Sequence, residues 1–142
     1  MNITLKNKSF IKPVLMSMVF FTACFLSAAF IQKSDEWKAP DTAKEKKNPI
    51  ATDETSVAAG KKAYEKECLN CHGKKGKGDG ANAATLEKEV GDLTLAKAQN
   101  QTDGELFWKI SEGRKPMPIG KKTLSEEQRW QVVNYIRTFK KK

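Results

Sequence analysis

Cys68-Leu69-Asn70-Cys71-His72 is the stretch that decides the fold of this chain, because it reads C-x-x-C-H. Two cysteines at this spacing, followed directly by a histidine, form the attachment site of a c-type haem. Cys68 and Cys71 can each add to one vinyl group of the same porphyrin, and His72 is then presented to the iron. His72 is the only histidine among the 142 residues. The motif predicts one covalent haem c, attached through Cys68 and Cys71 and ligated by His72, and hence a redox role.

Two other sites use C-x-x-C pairs, namely zinc sites and redox-active dithiols. A structural zinc needs four protein ligands, and beyond the motif the chain has only Cys24, inside an apolar N-terminal run. A dithiol of the thioredoxin type belongs at the start of a helix in a βαβ unit. Here a helical pattern precedes the motif and no strand pattern flanks it. Both interpretations are therefore weaker than the haem.

Met117 is the candidate for the second axial ligand of the iron. A thioether is a common sixth ligand and raises the reduction potential, and Met117 is the only methionine after the N-terminal run. It lies between Pro116 and Pro118, which lack backbone donors and hold the chain extended. A methionine on such a stiff loop, outside any helical stripe, indicates a ligand rather than a core residue, although methionine also serves as an adaptable core filler.

The N-terminus reads as a targeting segment. Lys6, Lys8 and Lys12 precede a run from residue 13 to residue 31 that has no charged side chain. A basic start followed by an apolar run predicts that residues 1–31 are a signal peptide or signal-anchor, with the N-terminus in the cytoplasm.

Three fates of the apolar run remain open. Its length approaches the ~20 residues that span a bilayer, which slightly favours an uncleaved membrane anchor through residues 13–31. Ser27-Ala28-Ala29 favours signal cleavage after Ala29, which would leave a soluble periplasmic protein. Phe21-Thr22-Ala23-Cys24 is weakly similar to a lipoprotein box, with lipidation at Cys24. Each fate places the rest of the chain on the periplasmic side of the cytoplasmic membrane.

The rest of the chain divides by composition. Residues 32–56 hold five basic and six acidic residues, two prolines and few apolar side chains. That composition predicts a charged, disordered linker. Residues 57–142 then form a small domain, and domains of this size often depend on a bound group for their core.

The pattern of the domain is all-α, because no alternating strand pattern of useful length occurs. A helix is predicted from Ala58 to Leu69, a glycine-rich loop from 74 to 80 and a short helix over 83–90. Thr102 and Ser125 each begin a capping box. The helix after Thr102 ends at Gly113, and the helix after Ser125 runs to about Phe139. The predicted core residues of these two helices are Leu106, Phe107, Ile110, Val132, Val133, Ile136 and Phe139.

Gly60-x-x-x-Tyr64-x-x-x-Cys68-x-x-Cys71-His72, Pro116-Met117-Pro118 and a closing helix with Tyr135 resemble a class I monohaem cytochrome c. The resemblance covers residues 57–142. It implies a cytochrome c fold of three to four helices wrapped around one haem, here preceded by an apolar helix and the linker. It implies that Gly60 and Tyr64 pack against the last helix near Tyr135, and it repeats the four haem contacts above. Members of the family usually have a proline after the glycine-rich loop, and its carbonyl accepts a hydrogen bond from the histidine. The matching position in this chain is Ala81.

The expected function is one-electron transfer by a His/Met-ligated haem outside the cytoplasmic membrane, in a respiratory chain. The alternative is a permanent cytochrome c subunit, the electron-entry domain, of a membrane oxidase or reductase complex. An enzyme would need an exchangeable iron ligand and acid–base groups, and His72 leaves no second imidazole, so we expect no enzymatic activity and no small-molecule substrate. The formal charge is +9, from 26 basic and 17 acidic residues. Lys74, Lys75 and Lys77 follow the motif, and further cations flank Met117, so we expect acidic redox partner proteins rather than nucleic acid.

Overall fold

The structure is a computed structural model that describes residues 36–140, so the predicted signal or anchor segment lies outside the described residues. The chain divides after Trp37 into two compact units, and the unit that begins at Lys38 carries every element below. Within residues 36–140 none of the helices has the length and apolar content needed to cross a bilayer. The described part contains no strand, only an isolated bridge between Arg114 and Met117. It is all-α, as predicted.

Six α-helices and two short 3₁₀ turns make up the described chain. The α-helices are α1 (Asp41–Lys44), α2 (Glu54–Glu67), α3 (Leu69–His72), α4 (Ala96–Gln99), α5 (Asp103–Glu112) and α6 (Glu126–Arg137), and the 3₁₀ turns are Ala83–Thr85 and Gly120–Lys122. The helix predicted over residues 83–90 is therefore wrong beyond its first turn. Residues 87–89 are charged and exposed, so that stretch has no apolar face to bury.

Capping boxes begin all three long helices. At α5 and α6 the side chains of Thr102 and Ser125 accept from the backbone N–H three residues on, as predicted. Helix α2 begins four residues earlier than predicted, because Asp53 and Ser56 form a further capping box. Serine at the third helical position is not part of the usual sequence signature, which has Glu or Gln there.

Helices α2 and α6 make the most extensive helix–helix contact of the described fold. They approach closely at Gly60, where a Cβ atom would collide with the Gln131 carbonyl and press on the Cβ of Tyr135. The close packing implied by the resemblance is confirmed. The core between α2, α5 and α6 contains Ala63, Tyr64, Leu106, Phe107, Ile110, Leu124, Trp130, Val132, Val133 and Ile136, with Phe139 partly buried beside it.

Residues 38–53, here named the N-terminal strap, pack onto this core. Ala39 and Ala43 are buried, and a Cβ atom at Gly104 would collide with the carbonyl of Ala43. The Lys46 ammonium lies 4.4 Å from the centroid of the Phe107 ring and 3.2 Å from a carboxylate oxygen of Glu126. The strap therefore lies across α5 and α6.

Asn134, buried in α6, fastens the second half of the strap. Its side-chain oxygen accepts from Asn48 Nδ2 at 2.8 Å and from Thr52 Oγ1 at 3.1 Å. Its amide donates to the carbonyls of Ile50 and Ala51 at 3.4 and 3.1 Å. The prediction of a disordered linker over residues 32–56 is wrong for residues 38–53. The composition is polar throughout, and a few buried alanines and one amide network hold the segment.

Candidate haem site

The C-x-x-C-H motif folds into a single turn at the junction of α2 and α3. Cys68 ends α2, with its N–H donating to the Tyr64 carbonyl at 2.8 Å, and Cys71 and His72 lie in α3. The N–H groups of Cys71 and His72 both donate to the Cys68 carbonyl, at 3.2 and 2.9 Å. Both thiols are free and partly buried. The structure thus brings together the three motif residues that the sequence predicts.

Cys68 lies in an environment that disfavours charge. Burial raises the pKa of its thiol to about 12, with smaller contributions from Glu67 and Cys71. The side chain packs against the hydrophobic core. These apolar surroundings favour an uncharged sulfur, either a thiol or a thioether.

The His72 imidazole is largely buried, and this burial lowers its pKa. A backbone contact with Gly91 acts in the opposite direction, as an accepting carbonyl does, because it stabilises the protonated ring. Nδ1 is buried and has no partner with good hydrogen-bond geometry among the described residues. The family's pattern points to Ala81 for this carbonyl. The backbone that faces His72 belongs instead to Gly91, ten residues further along.

A glycine-rich loop follows His72 and returns to it, as predicted for residues 74–80. Gly78 has a φ of 77°, a conformation that side chains rarely adopt, and its N–H donates to the His72 carbonyl at 2.9 Å. A Cβ atom at Gly78 would collide with the carbonyl of Val90. The loop therefore holds residues 90 and 91 beside the histidine.

Met117 lies on a tight turn after α5. Gly113 ends this helix with a φ of 61°, and the Met117 N–H donates to the Arg114 carbonyl at 2.9 Å. The Lys115–Pro116 peptide bond is cis. Pro116 and Pro118 are exposed, whereas Met117 is partly buried and packs against the same core as Cys68. The methionine thus points away from solvent while its proline neighbours do not.

Comparison with known proteins decides the family. Residues 55–136 match the family described as cytochrome c oxidase, cbb3-type, subunit III. The chain belongs to this cytochrome c family. It is a monohaem cytochrome c whose cofactor is one covalent haem c and whose chemistry is electron transfer. Cytochrome c domains are typically extracytoplasmic.

A solved structure of the Kuenenia stuttgartiensis reducing HAO-like protein complex contains a similar chain, with 31% identity and a TM-score of 0.60. The match covers 66% of this cytochrome and 47% of that chain, so the cytochrome spans about half the length of its structural relative. No curated protein matches the sequence.

The residues around the motif fit a covalent haem. Cys68 and Cys71 are free thiols within one turn, and His72 follows directly in the same turn. Two thiols and an imidazole in this order are the groups that c-type attachment and proximal ligation use. The fit supports Cys68 and Cys71 as the residues that would hold the group.

Basic side chains lie along both segments of the site. Lys74, Lys75 and Lys77 are exposed on the loop after His72, and Lys115, Lys121 and Lys122 are exposed around the methionine turn. Lys121 forms an ion pair with Glu112 at 2.6 Å. The other five lysines keep the predicted concentration of positive charge near the site.

Sequence reasoning missed Gly91, whose backbone contacts His72, and Gln99, whose amide donates to the carbonyl of Leu93 two residues further on. The Gly91-Asp92 pair is a turn signal, but nothing in the sequence links that turn to a histidine 19 residues earlier. Gln99 ends a four-residue helix, α4, that is too short for a periodic pattern.

Proposed function

We propose that this cytochrome is a one-electron carrier of a respiratory chain, with Cys68 and Cys71 as haem attachments and His72 and Met117 as axial ligands. The observation that carries the proposal is the one-turn arrangement of Cys68, Cys71 and His72, each partly buried. The packing of Met117 and Cys68 against one core supports the methionine as the second ligand.

When bound, the haem would supply an iron that changes between the ferric and the ferrous state. The protein residues do the rest. His72, with its pKa lowered by burial, offers a neutral imidazole, and Met117 offers an uncharged thioether. The hydrogen bonds and the burial of these two ligands would tune the reduction potential of the iron. If His72 and Met117 both bound the iron, no position would remain open for a substrate, so we propose no enzymatic activity for this domain.

The second candidate function is that of a permanent electron-entry subunit in a membrane complex. Two observations favour it. The matching family is described as a subunit of a cbb3-type oxidase, and the similar solved chain is part of a protein complex. In either role the partners are redox proteins. Extraction in mild detergent followed by size-exclusion chromatography separates the two: a carrier elutes alone and a subunit co-elutes with its complex.

The location outside the cytoplasmic membrane is part of the same proposal. Attachment through residues 13–31, or release by cleavage after Ala29, decides whether the cytochrome is anchored or soluble, with lipidation at Cys24 as a third outcome. In each case the folded domain begins with the strap at residue 38 rather than at residue 57, because the strap packs onto the core. Mass determination of the mature N-terminus distinguishes the three outcomes.

The experiment that tests the ligation is Met117→Ala in the haem-loaded protein. We expect loss of the sulfur-to-iron charge-transfer band of the oxidised form and a fall in reduction potential, because a methionine ligand raises the potential. Ile119→Ala is the matched control, since Ile119 lies on the same turn and is partly buried, and it keeps the band. A band and potential unchanged by Met117→Ala overturn the assignment.

A further inference from the structure

The segment from Val90 to Leu93 is the part of the chain that faces the His72 imidazole. Gly78 donates its N–H to the His72 carbonyl at 2.9 Å. A Cβ atom at Gly78 would collide with the Val90 carbonyl oxygen and lie 3.5 Å from that of Gly91, so both carbonyls lie beside His72, and the Gly91 backbone contacts the imidazole. The position of this segment therefore sets how well a carbonyl can accept a hydrogen bond from His72.

Side-chain packing does not fix the position of Gly91. No atom outside its chain neighbours lies within 4 Å of where its Cβ atom would be, and glycine has the least restricted backbone of any residue. Something beyond Gly91 must fix the segment against the imidazole.

Gln99 provides that fixation. Its Nε2 donates to the Leu93 carbonyl at 2.6 Å and to the Ile136 carbonyl of α6 at 3.1 Å. The side chain is 8% exposed. Because two carbonyl oxygens face the nitrogen, the reversed amide would place oxygen against oxygen, which fixes the orientation of the amide. On its other side the segment is held by the Leu93 N–H, which donates to the Gly76 carbonyl at 2.6 Å.

We propose that Gln99 is a positioning residue for His72, clamping Leu93 to α6 and thereby holding Gly91 against the imidazole. The inference rests on the proposed ligation of the iron by His72. A partner that accepts from the second nitrogen of a ligating histidine orients the ring and raises its basicity. A more basic ligand stabilises the oxidised iron, so loss of the clamp raises the reduction potential.

The test compares two buried amides that each tie a loop to α6. Gln99→Met keeps the length of the side chain but removes both hydrogen bonds. Asn134→Leu does the same at the strap, whose contacts do not include the His72 loop. We expect both variants of the haem-loaded protein to lose stability in urea. Only Gln99→Met speeds solvent exchange of the His72 imidazole N–H, by about tenfold, and shifts the ratio of oxidised to reduced haem at a fixed potential about threefold. That ratio corresponds to about 30 mV, since a tenfold change is 59 mV for one electron.

Two further variants extend the test, one as a substitute for Gln99→Met and one that restricts the backbone at Gly91. If Gln99→Met fails to retain haem, Gln99→Glu serves instead, because an ionised carboxylate cannot donate to the two carbonyls. Adding Gly91→Ala to Gln99→Met restores part of the potential, since the site has room for the methyl group and alanine restricts the backbone.

The outcomes separate this inference from the function on which it rests. Equal shifts in Gln99→Met and Asn134→Leu, or no shift in either, overturn the role of Gln99. A wild-type protein without a haem-shifted imidazole N–H resonance shows instead that His72 is not a ligand, and the proposed function fails first.

Discussion

Tyr64 links the packing of the helices to the haem motif through one hydroxyl group. Its ring is 1% exposed and meets Tyr135 and Phe139 edge-on, with centroid distances of 5.2 and 5.5 Å. Its hydroxyl donates to the Gly73 carbonyl at 2.8 Å, directly after His72. Burial raises the pKa of the phenol well above its usual range, so it stays a neutral donor. The residue holds the end of α3 in place.

Tyr64→Phe tests this link. The ring remains, but the buried Gly73 carbonyl loses one of two donors and keeps the Gly76 N–H at 3.1 Å. The cost is therefore the net contribution of one hydrogen bond, about 0.5–1.5 kcal/mol. We expect a loss of about 1 kcal/mol in the free energy of unfolding of the haem-loaded protein, measured in urea. Tyr135→Phe is the control, because Tyr135 is only partly buried, and it changes stability by less than about 0.5 kcal/mol. Equal effects of the two variants contradict the role of the hydroxyl.

Among single site residues, the sequence predicts those that are close neighbours in the chain. Cys68, Cys71 and His72 are adjacent in the chain, and local turn geometry alone brings them together. Gly60 is predicted through a family resemblance. Gly91 could not be predicted, because its contact with His72 depends on how two loops pack, and the alternative Ala81 fits the sequence pattern equally well.

Among the elements, the three long helices owe their starting points to capping boxes. Thr102 Oγ1 accepts from the Glu105 N–H at 3.2 Å, and a Glu105 carboxylate oxygen accepts from the Thr102 N–H at 2.7 Å. These bonds satisfy two backbone donors that the helix itself leaves free. They also fix where α5 begins.

Thr102→Ala removes one of these bonds. We expect a loss of about 1 kcal/mol in the free energy of unfolding, the usual cost of losing a cap, with the charge-transfer band unchanged. Thr123→Ala is the control, since Thr123 is exposed and caps none of the long helices. Stability equal to wild type in Thr102→Ala would show that tertiary packing alone fixes the start of α5.

The helices that the sequence predicts correctly are those with a capping box and a periodic pattern of apolar residues. Helices α5 and α6 combine a capping box with buried residues at helical spacing, so the sequence predicts where both begin. It also predicts the end of α5 at Gly113, whereas α6 ends at Arg137, two residues before the predicted Phe139. Helices α1 and α4 have four residues each, which is too short for any periodicity. Their positions come from contacts with distant residues, such as the Ile136 carbonyl for Gln99, and a local pattern carries no information on those.

For the whole molecule, the strap changes where the cytochrome domain begins. The family match starts at residue 55, yet the chain packs onto the core from Ala39 onward. The strap covers the stacked pair Phe107 and Trp130, whose ring centroids lie 3.9 Å apart. Any tether to a membrane is then shorter than a disordered linker over residues 32–56 would be.

Ala43→Asp tests whether the strap is packed in solution. Ala43 is buried, so the carboxylate has to leave the core, and we expect a loss of about 2 kcal/mol or more because a buried unpaired charge is among the costliest substitutions. Thr42→Asp is the control at the adjacent, exposed position and stays within about 0.5 kcal/mol of wild type. Equal urea midpoints for the two variants would show a disordered strap.

Charge is the second property that belongs to the whole molecule. Residues 57–142 carry 18 basic and 11 acidic side chains, a balance of +7, and exposed lysines lie on both segments of the haem site. A field of this kind speeds the association of an oppositely charged partner and weakens with salt. Because Lys121 is paired with Glu112, the lysines that best report on docking are Lys74, Lys75 and Lys122.

Changing these three lysines to glutamate separates a docking surface from a merely solvated basic face. The control replaces Lys47, Lys62 and Lys97, which are exposed on other elements, with the same change in net charge. We expect second-order electron transfer to an acidic acceptor protein to slow at least tenfold more in the site variant than in the control at 10 mM salt. At 150 mM the difference shrinks, because the screening length falls from about 30 Å to about 8 Å. Equal slowing in both variants, with intact haem and potential, would mean that net charge alone acts and that these lysines form no docking surface.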